Sequence, residues 1–353
     1  MSHKWPVFDY VRILAATSVI FSHSFLIAEG VETNEPFVRL LGPGNIIGMY
    51  GVLVFFVISG FLVTLSAAKS PSVLRYAWHR VLRIYPALFV CLLLTGLIIG
   101  AMFTQVPVLL FLRRLHAVFY AVYGIVNLIP WQVATVTFYA DPAGIGEGMN
   151  GSLWTIRFEL FCYAVVALLL ALRLLRWPAV LIVFVGMQLL RVSGWGAELP
   201  KLVGGILACP SFFAGALIAT LFGGRRLPAW PMLPCAAILL IAIATKQVLM
   251  AFPLFGAYPL LWIATLDTKR LPSMRRFGDI SYGMYLYGWP LEQMMRGFLG
   301  AGTPWWEIFL PSLAMAALCG YASWHLIEKH ALRLKDAPVP DLGLWRTSTE
   351  SDS

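Results

Sequence analysis

Ten apolar runs of membrane-spanning length, separated by short polar stretches, decide what this chain can become. They occupy 8–28, 46–66, 83–103, 154–173, 177–192, 203–222, 231–246, 249–266, 278–298 and 306–328. Crossing hydrocarbon takes roughly 17–25 apolar residues, so the runs at 177–192 and 231–246 are the short ones. Another apolar stretch, FYAVYGIVNLIPWQVATVTF (119–138), is interrupted by Pro130. It reads as a re-entrant or interfacial piece, or as an eleventh crossing. Only 12% of the residues are charged, against about 25% in a soluble domain, which excludes a soluble multidomain protein. The expected fold class is all-α: a polytopic transmembrane helix bundle of about ten spans.

The basic residues give that bundle a direction. With the N-terminus placed in the cytoplasm and sides alternating, seventeen Lys and Arg fall inside and seven outside, while Arg12 and Arg157 lie within spans. Short-loop Lys and Arg are retained on the cytoplasmic side, so both termini are expected there. The net charge of +9 is thereby a topology signature, and a nucleic-acid partner is not expected. The first apolar run is long, carries Arg12 and leads into AEGVETNE without a small-residue cleavage site, so it is expected to stay in the mature protein. Cys91, Cys162, Cys209, Cys235 and Cys319 are scattered singly, which supports packing roles rather than disulfides or a metal site. Residues 1–335 read as one integral-membrane domain and 336–353 as a short cytoplasmic tail too Pro- and Ser-rich to fold. With no soluble domain and no visible internal repeat, any chemistry falls to the membrane-embedded part itself.

Ionisable groups inside spans are costly and therefore candidates for function. Arg12 and His23 stand eleven residues apart in the first run. At about 100° per residue they share one helical face, roughly 16 Å apart along the axis. Such a face lines a cavity; the alternative is an Arg that snorkels to headgroups and a His bonded to a neighbouring helix. In RYAWHRVLRIYP (75–86), Arg80 and Arg83 are i, i+3 neighbours at the cytoplasmic entrance of the third run. Paired guanidiniums suit phosphate oxygens, although ordinary membrane anchoring also explains them.

In NGSLWTIRFELFCYA (150–164), Glu159 is expected two turns below the outer surface, at a depth comparable to His23, whose imidazole is its natural partner; the alternative is a structural pair with an Arg. Arg157, two residues away, points elsewhere. The preceding GIGEGMNGS (144–152) lacks the strand and spacing of a phosphate-binding loop and reads as the edge of a cavity. Ser152 and Trp154 begin the fourth run beside it. Finally, GDISYGMYLYGWPLEQ (278–293) carries Ser281, Tyr282, Tyr285, Tyr287 and Trp289 on a helix expected to break at Pro290. Rings with polar tips suit sugar stacking as well as helix packing.

Taken in order, Arg12 to His23, GVLVFFVISGFLV (51–63), Arg80-x-x-Arg83 followed by IYP, GSLWT followed by Glu159, ISYGMYLYGWP and the closing IEKHAL resemble the membrane acyltransferase family 3. The resemblance runs from Phe8 to about Leu334. It implies transfer of acetyl or another short acyl group from cytoplasmic acyl-CoA, acetyl-CoA above all, to a hydroxyl of an extracytoplasmic or lipid-linked carbohydrate such as O-antigen or exopolysaccharide. It implies His23 as the catalytic histidine, Arg12 as part of the Arg-x10-His motif, and Arg80 and Arg83 as donor-binding residues. No resident cofactor and no metal are implied, and the location is the bacterial inner membrane. Two positions depart from the family: Leu53 stands where many relatives have an acid, and Gly288 where many have a histidine before the proline.

On that reading His23 is the base for the acceptor hydroxyl and Glu159 orients its ring. Direct transfer and an acyl-imidazole intermediate both suit these residues. Ser152, Trp154, Tyr282 and Tyr285 are the expected contacts for substrate. The rival expectation is a transporter or flippase for a lipid-linked sugar that uses the same polar cavity.

Overall fold

The structure is a computed structural model that describes residues 5–127, 136, 148–194, 200–266, 272 and 274–337. In chain order the helices are α1 (Val7–Glu29), the short α2 (Pro36–Leu41), α3 (Ile47–Ala67), α4 (Val73–Met102), α5 (Val108–Arg113) and α6 (His116–Asn127). There follow α7 (Trp154–Ala171), α8 (Trp177–Val192), α9 (Pro200–Phe222), α10 (Met232–Ala244), α11 (Val248–Ala264), α12 (Ser281–Leu299) and α13 (Trp305–Asp336). Among the described residues there is no strand, only an isolated bridge between Thr104 and Val136. The fold is all-helical. Helices occupy all ten of the runs read from the sequence, and six of them are long and apolar enough to cross a membrane: α1, α3, α4, the Gly151–Ala171 segment, α9 and α13. Of the 119–138 stretch, the part after Asn127 lies outside the described residues apart from Val136, as does nearly all of the expected 336–353 tail.

Helix ends show why these elements form where they do. The buried carboxylate of Glu35 accepts from the backbone N–H of Phe37 and Val38 and also of Ile47, so one side chain caps both α2 and α3. Gly30, at φ 74°, ends α1 in the left-handed conformation that a side chain resists. Ser72 caps α4 by accepting from Arg75 N–H at 3.1 Å. α4 therefore starts ten residues before the expected third span. Arg80 and Arg83 lie two to three turns inside it rather than at its entrance.

Two glycines bring the central helices into contact. A Cβ on Gly60 of α3 would fall on the carbonyl of Phe212 in α9, and one on Gly215 of α9 would fall on the carbonyl of Val57. Small residues at such crossings let backbones approach, which is how helices associate where lipid supplies no hydrophobic drive. α1 lies antiparallel to α3, with Gly48 N–H donating to Ser22 Oγ at 3.0 Å. Their sequence registers thus run opposite ways, and residues late in α3 match residues early in α1. Contrary to expectation, α12 continues through Pro290 without a break.

Candidate active site

The α1–α3 register gives a depth scale. Gly48 stands level with Ser22, one residue from His23. Ser59 lies eleven residues farther along α3, roughly 16 Å away at about 1.5 Å per residue, which puts it near the level of Arg12. That separation divides the ionisable side chains into two groups.

The first group surrounds a cavity of about 530 Å³ that opens where Lys69, His79, Arg80 and Lys335 meet. Arg12, Arg83, Glu159, Tyr282 and Tyr285 also line it, among apolar walls from Val52 to Val63 and at Ile84 and Ile156. The cavity thus gathers Arg12, Arg80 and Arg83, as the sequence suggested, but their guanidiniums do different things. Arg12 Nη1 meets Asp279 Oδ2 at 2.9 Å. Arg83 bridges Asp279 at 2.5 Å and Glu328 at 3.0 Å. Ser281 donates to Asp279, and Ser323 to Glu328, which completes a half-buried ionic knot between α1, α4, α13 and the segment leading into α12. Arg12 and Arg83 thus both meet Oδ2 of Asp279, with Ser281 on its other oxygen. Arg80 is different. Its guanidinium lies 5.7 Å from the rings of Tyr76 and Tyr163, and its Nε has no hydrogen-bond partner among the described residues. It is the arginine of the three available to an anion.

Glu159 belongs to this cavity and not to His23. Its Oε1 accepts from Ser59 Oγ at 2.8 Å and from the Tyr163 hydroxyl. The expectation of comparable depth fails because the chain dips into the bundle before α7 begins. Asn150 Nδ2 donates at 2.9 Å to the carbonyl of Leu286, in the second turn of α12, so the helix bearing Glu159 starts well inside the bundle. Of the expected substrate contacts, Tyr282 and Tyr285 line the cavity, while Ser152 and Trp154 do not. Tyr282 donates to the carbonyl of Ile84 and Trp154 packs on Gly204. Ser152 is buried, its carbonyl accepting from Tyr285 Oη at 2.8 Å. Most of the GIGEGMN loop lies outside the described residues.

The second group is His23 and Glu292. His23 Nδ1 stands 3.7 Å from Oε2 of Glu292, a carboxylate with no exposed surface and no hydrogen-bond donor among the described residues. The carboxylate facing His23 is therefore Glu292 of α12, which sequence reasoning missed although an acid inside an apolar helix is itself a signal. Trp289 sets its ring edge-on to the imidazole at 4.8 Å and ties its own N–H to the Gly148 carbonyl. His23 keeps 16% exposure but is not part of the cavity wall. On the cavity wall, one turn before Trp289 on α12, Tyr285 sets its hydroxyl 2.6 Å from that of Thr155. The two departures also find their places. Leu53 is fully buried in the core. A Cβ on Gly288 would come within 2.7 Å of the Ile20 side chain, so an imidazole there would require Ile20 to move.

A family model for an acyltransferase domain matches residues 5–325. The chain belongs to acyltransferase family 3. It is 27% identical over 348 residues to an O-acetyl transferase of Shigella phage Sf6, an alignment covering 94% of this chain and 97% of that protein. It is 28% identical over 377 residues to nodulation protein 10 of Rhizobium leguminosarum bv. viciae, covering 94% of each. No solved structure matches. Family membership and the apolar helices make this acyltransferase an integral membrane protein.

Proposed function

We propose that this acyltransferase takes an acetyl group from acetyl-CoA on the cytoplasmic side and delivers it to a hydroxyl of a carbohydrate on the outer side of a bacterial inner membrane. The observation that carries the reading is the division just described. A basic cavity lies toward one end of the bundle, and a histidine with a carboxylate partner stands roughly 16 Å farther along α1. The cavity's 530 Å³ falls in the range of small-molecule sites. Arg80, Lys69 and Lys335 suit the nucleotide phosphates at the mouth, and the apolar walls beyond suit the thioester arm. The excess of Lys and Arg on that side supports its being cytoplasmic.

In the transfer, His23 Nε2 removes the acceptor hydroxyl's proton as its oxygen attacks the thioester carbon. The C–S bond then breaks, and the imidazolium returns that proton to the departing thiolate. Glu292 holds the ring through Nδ1 and balances the charge that the imidazole gains. For the thioester to reach His23 it must advance beyond the cavity whose wall carries the Tyr285–Thr155 hydroxyl pair.

Membranes containing the protein, supplied with acetyl-CoA labelled in the acetyl group and with candidate cell-surface glycans, test the proposal. Label is expected on the glycan with the parent chain and absent with His23→Ala, at equal membrane insertion. Undiminished label with His23→Ala would end the assignment of the base. An unlabelled glycan whose lipid-linked precursor nonetheless crosses the membrane would reassign the protein as a transporter.

A further inference from the structure

The cavity contains one carboxylate that the transfer chemistry leaves unused. Among the described residues Glu159 is the single acid on a wall that carries Arg12, Lys69, Arg80, Arg83 and Lys335. Two of those cations are already answered by Asp279 and Glu328. Glu159 is not: Oε1 takes the hydroxyls of Ser59 and Tyr163, Oε2 accepts from no described residue, and the side chain lines the cavity. Ser59 is held in place by the close crossing of its neighbour Gly60 on α9, and Tyr163 by its position in α7 above the Arg80 guanidinium. The free acceptor is therefore fixed, not floating.

An unanswered anion repels a polyanionic ligand unless the part of the ligand that passes it donates hydrogen bonds. Along α3 the wall runs from Lys69 at the mouth through Ser66 and Ser59 to Phe55 and Val52. Ser59 is ten residues in from Lys69, roughly 15 Å. A coenzyme A thioester has its phosphates at one end and, along the arm before the sulfur, two secondary amides with N–H groups. We infer that Glu159 Oε2 accepts an amide N–H of the pantetheine arm, so that it selects pantetheine thioesters as donors and does not act on His23. The inference rests on the donor side of the proposed function.

The protein in lipid nanodiscs, with its glycan acceptor, separates the possibilities through three donors: acetyl-CoA, S-acetyl-pantetheine and S-acetyl-octanethiol, which has a comparable arm without amides. Glu159→Gln keeps an oxygen for Ser59 and Tyr163 and turns the free corner into a donor. Glu159→Met keeps the volume and removes the acceptor. Both variants should raise KM for the two amide-bearing donors by roughly 10–100-fold, the worth of one hydrogen bond to a charged group. Both should leave kcat within about twofold and turnover of the octanethiol ester unchanged. Equal losses on all three donors, or a fall in kcat at constant KM, would overturn the inference. A parent protein that acetylates the glycan but not from acetyl-CoA would instead defeat the donor reading, before any variant is compared.

Discussion

At 3.7 Å, His23 Nδ1 and Glu292 Oε2 are within ion-pair reach but longer than a hydrogen bond. Neither oxygen of Glu292 has another donor among the described residues. Burying a carboxylate so completely is costly unless a partner answers it, and His23 is its one ion-pair partner among those residues. Action as a base requires that gap to close to a hydrogen bond. That places the proton on Nδ1 and leaves Nε2 free to take a proton, the arrangement a histidine base requires. The pair is accordingly expected to act as a unit. Glu292→Gln should lower kcat by roughly 10–1,000-fold with a smaller change in KM. The double variant with His23→Ala should be no slower than His23→Ala alone, because residues that serve one step are not additive. Losses that multiply in single-turnover assays of the four proteins would separate Glu292 from the histidine.

Between elements, the ionic knot and the cavity assign opposite fates to two arginines one turn apart on α4. Arg83 ties that helix to Asp279 and Glu328, whereas Arg80 ends among the rings of Tyr76 and Tyr163. Removing one member of a buried ion pair costs about 3–5 kcal/mol, and partial exposure of Arg83 and Asp279 reduces that while Glu328 stays stranded. Arg83→Ala should therefore lower the melting temperature in detergent by several degrees. Arg80→Ala should leave melting nearly unchanged and raise KM for acetyl-CoA. Reversed effects would restore Arg83 as the donor ligand. This distinction was not legible in RYAWHRVLRIYP, because i, i+3 spacing places both side chains on one face and says nothing of the acids that reach them from α13 and the approach to α12. The helices themselves were legible, since spanning length and apolar character are local properties. Glu159 was misplaced for a related reason: hydropathy marks where a run becomes apolar, and the Asn150 contact with Leu286 that starts α7 deep in the bundle is made 136 residues away. Glu292 stood in plain view in GWPLEQ, but its partner on α1 is set by helix packing and by no spacing along the chain.

For the molecule as a whole, the proposal requires the two ends of the bundle to face different compartments. The cavity mouth and His23 lie along antiparallel α1 and α3, with Ala68 exposed beside the mouth and Arg39 exposed on α2 near the His23 end. Donor and acceptor meet across the membrane only if Ala68 is cytoplasmic and Arg39 is not, the orientation the basic residues favour. Four of the native thiols are buried and the fifth, Cys319, is partly so, which keeps background labelling low. A membrane-impermeant maleimide added to intact cells, with the outer membrane opened where one is present, should modify Arg39→Cys. It should reach Ala68→Cys only after the inner membrane is permeabilised. The opposite pattern would place the basic mouth outside, away from the compartment that holds acyl-CoA. The cavity would then have to serve the acceptor, and His23 would face the wrong pool of thioester.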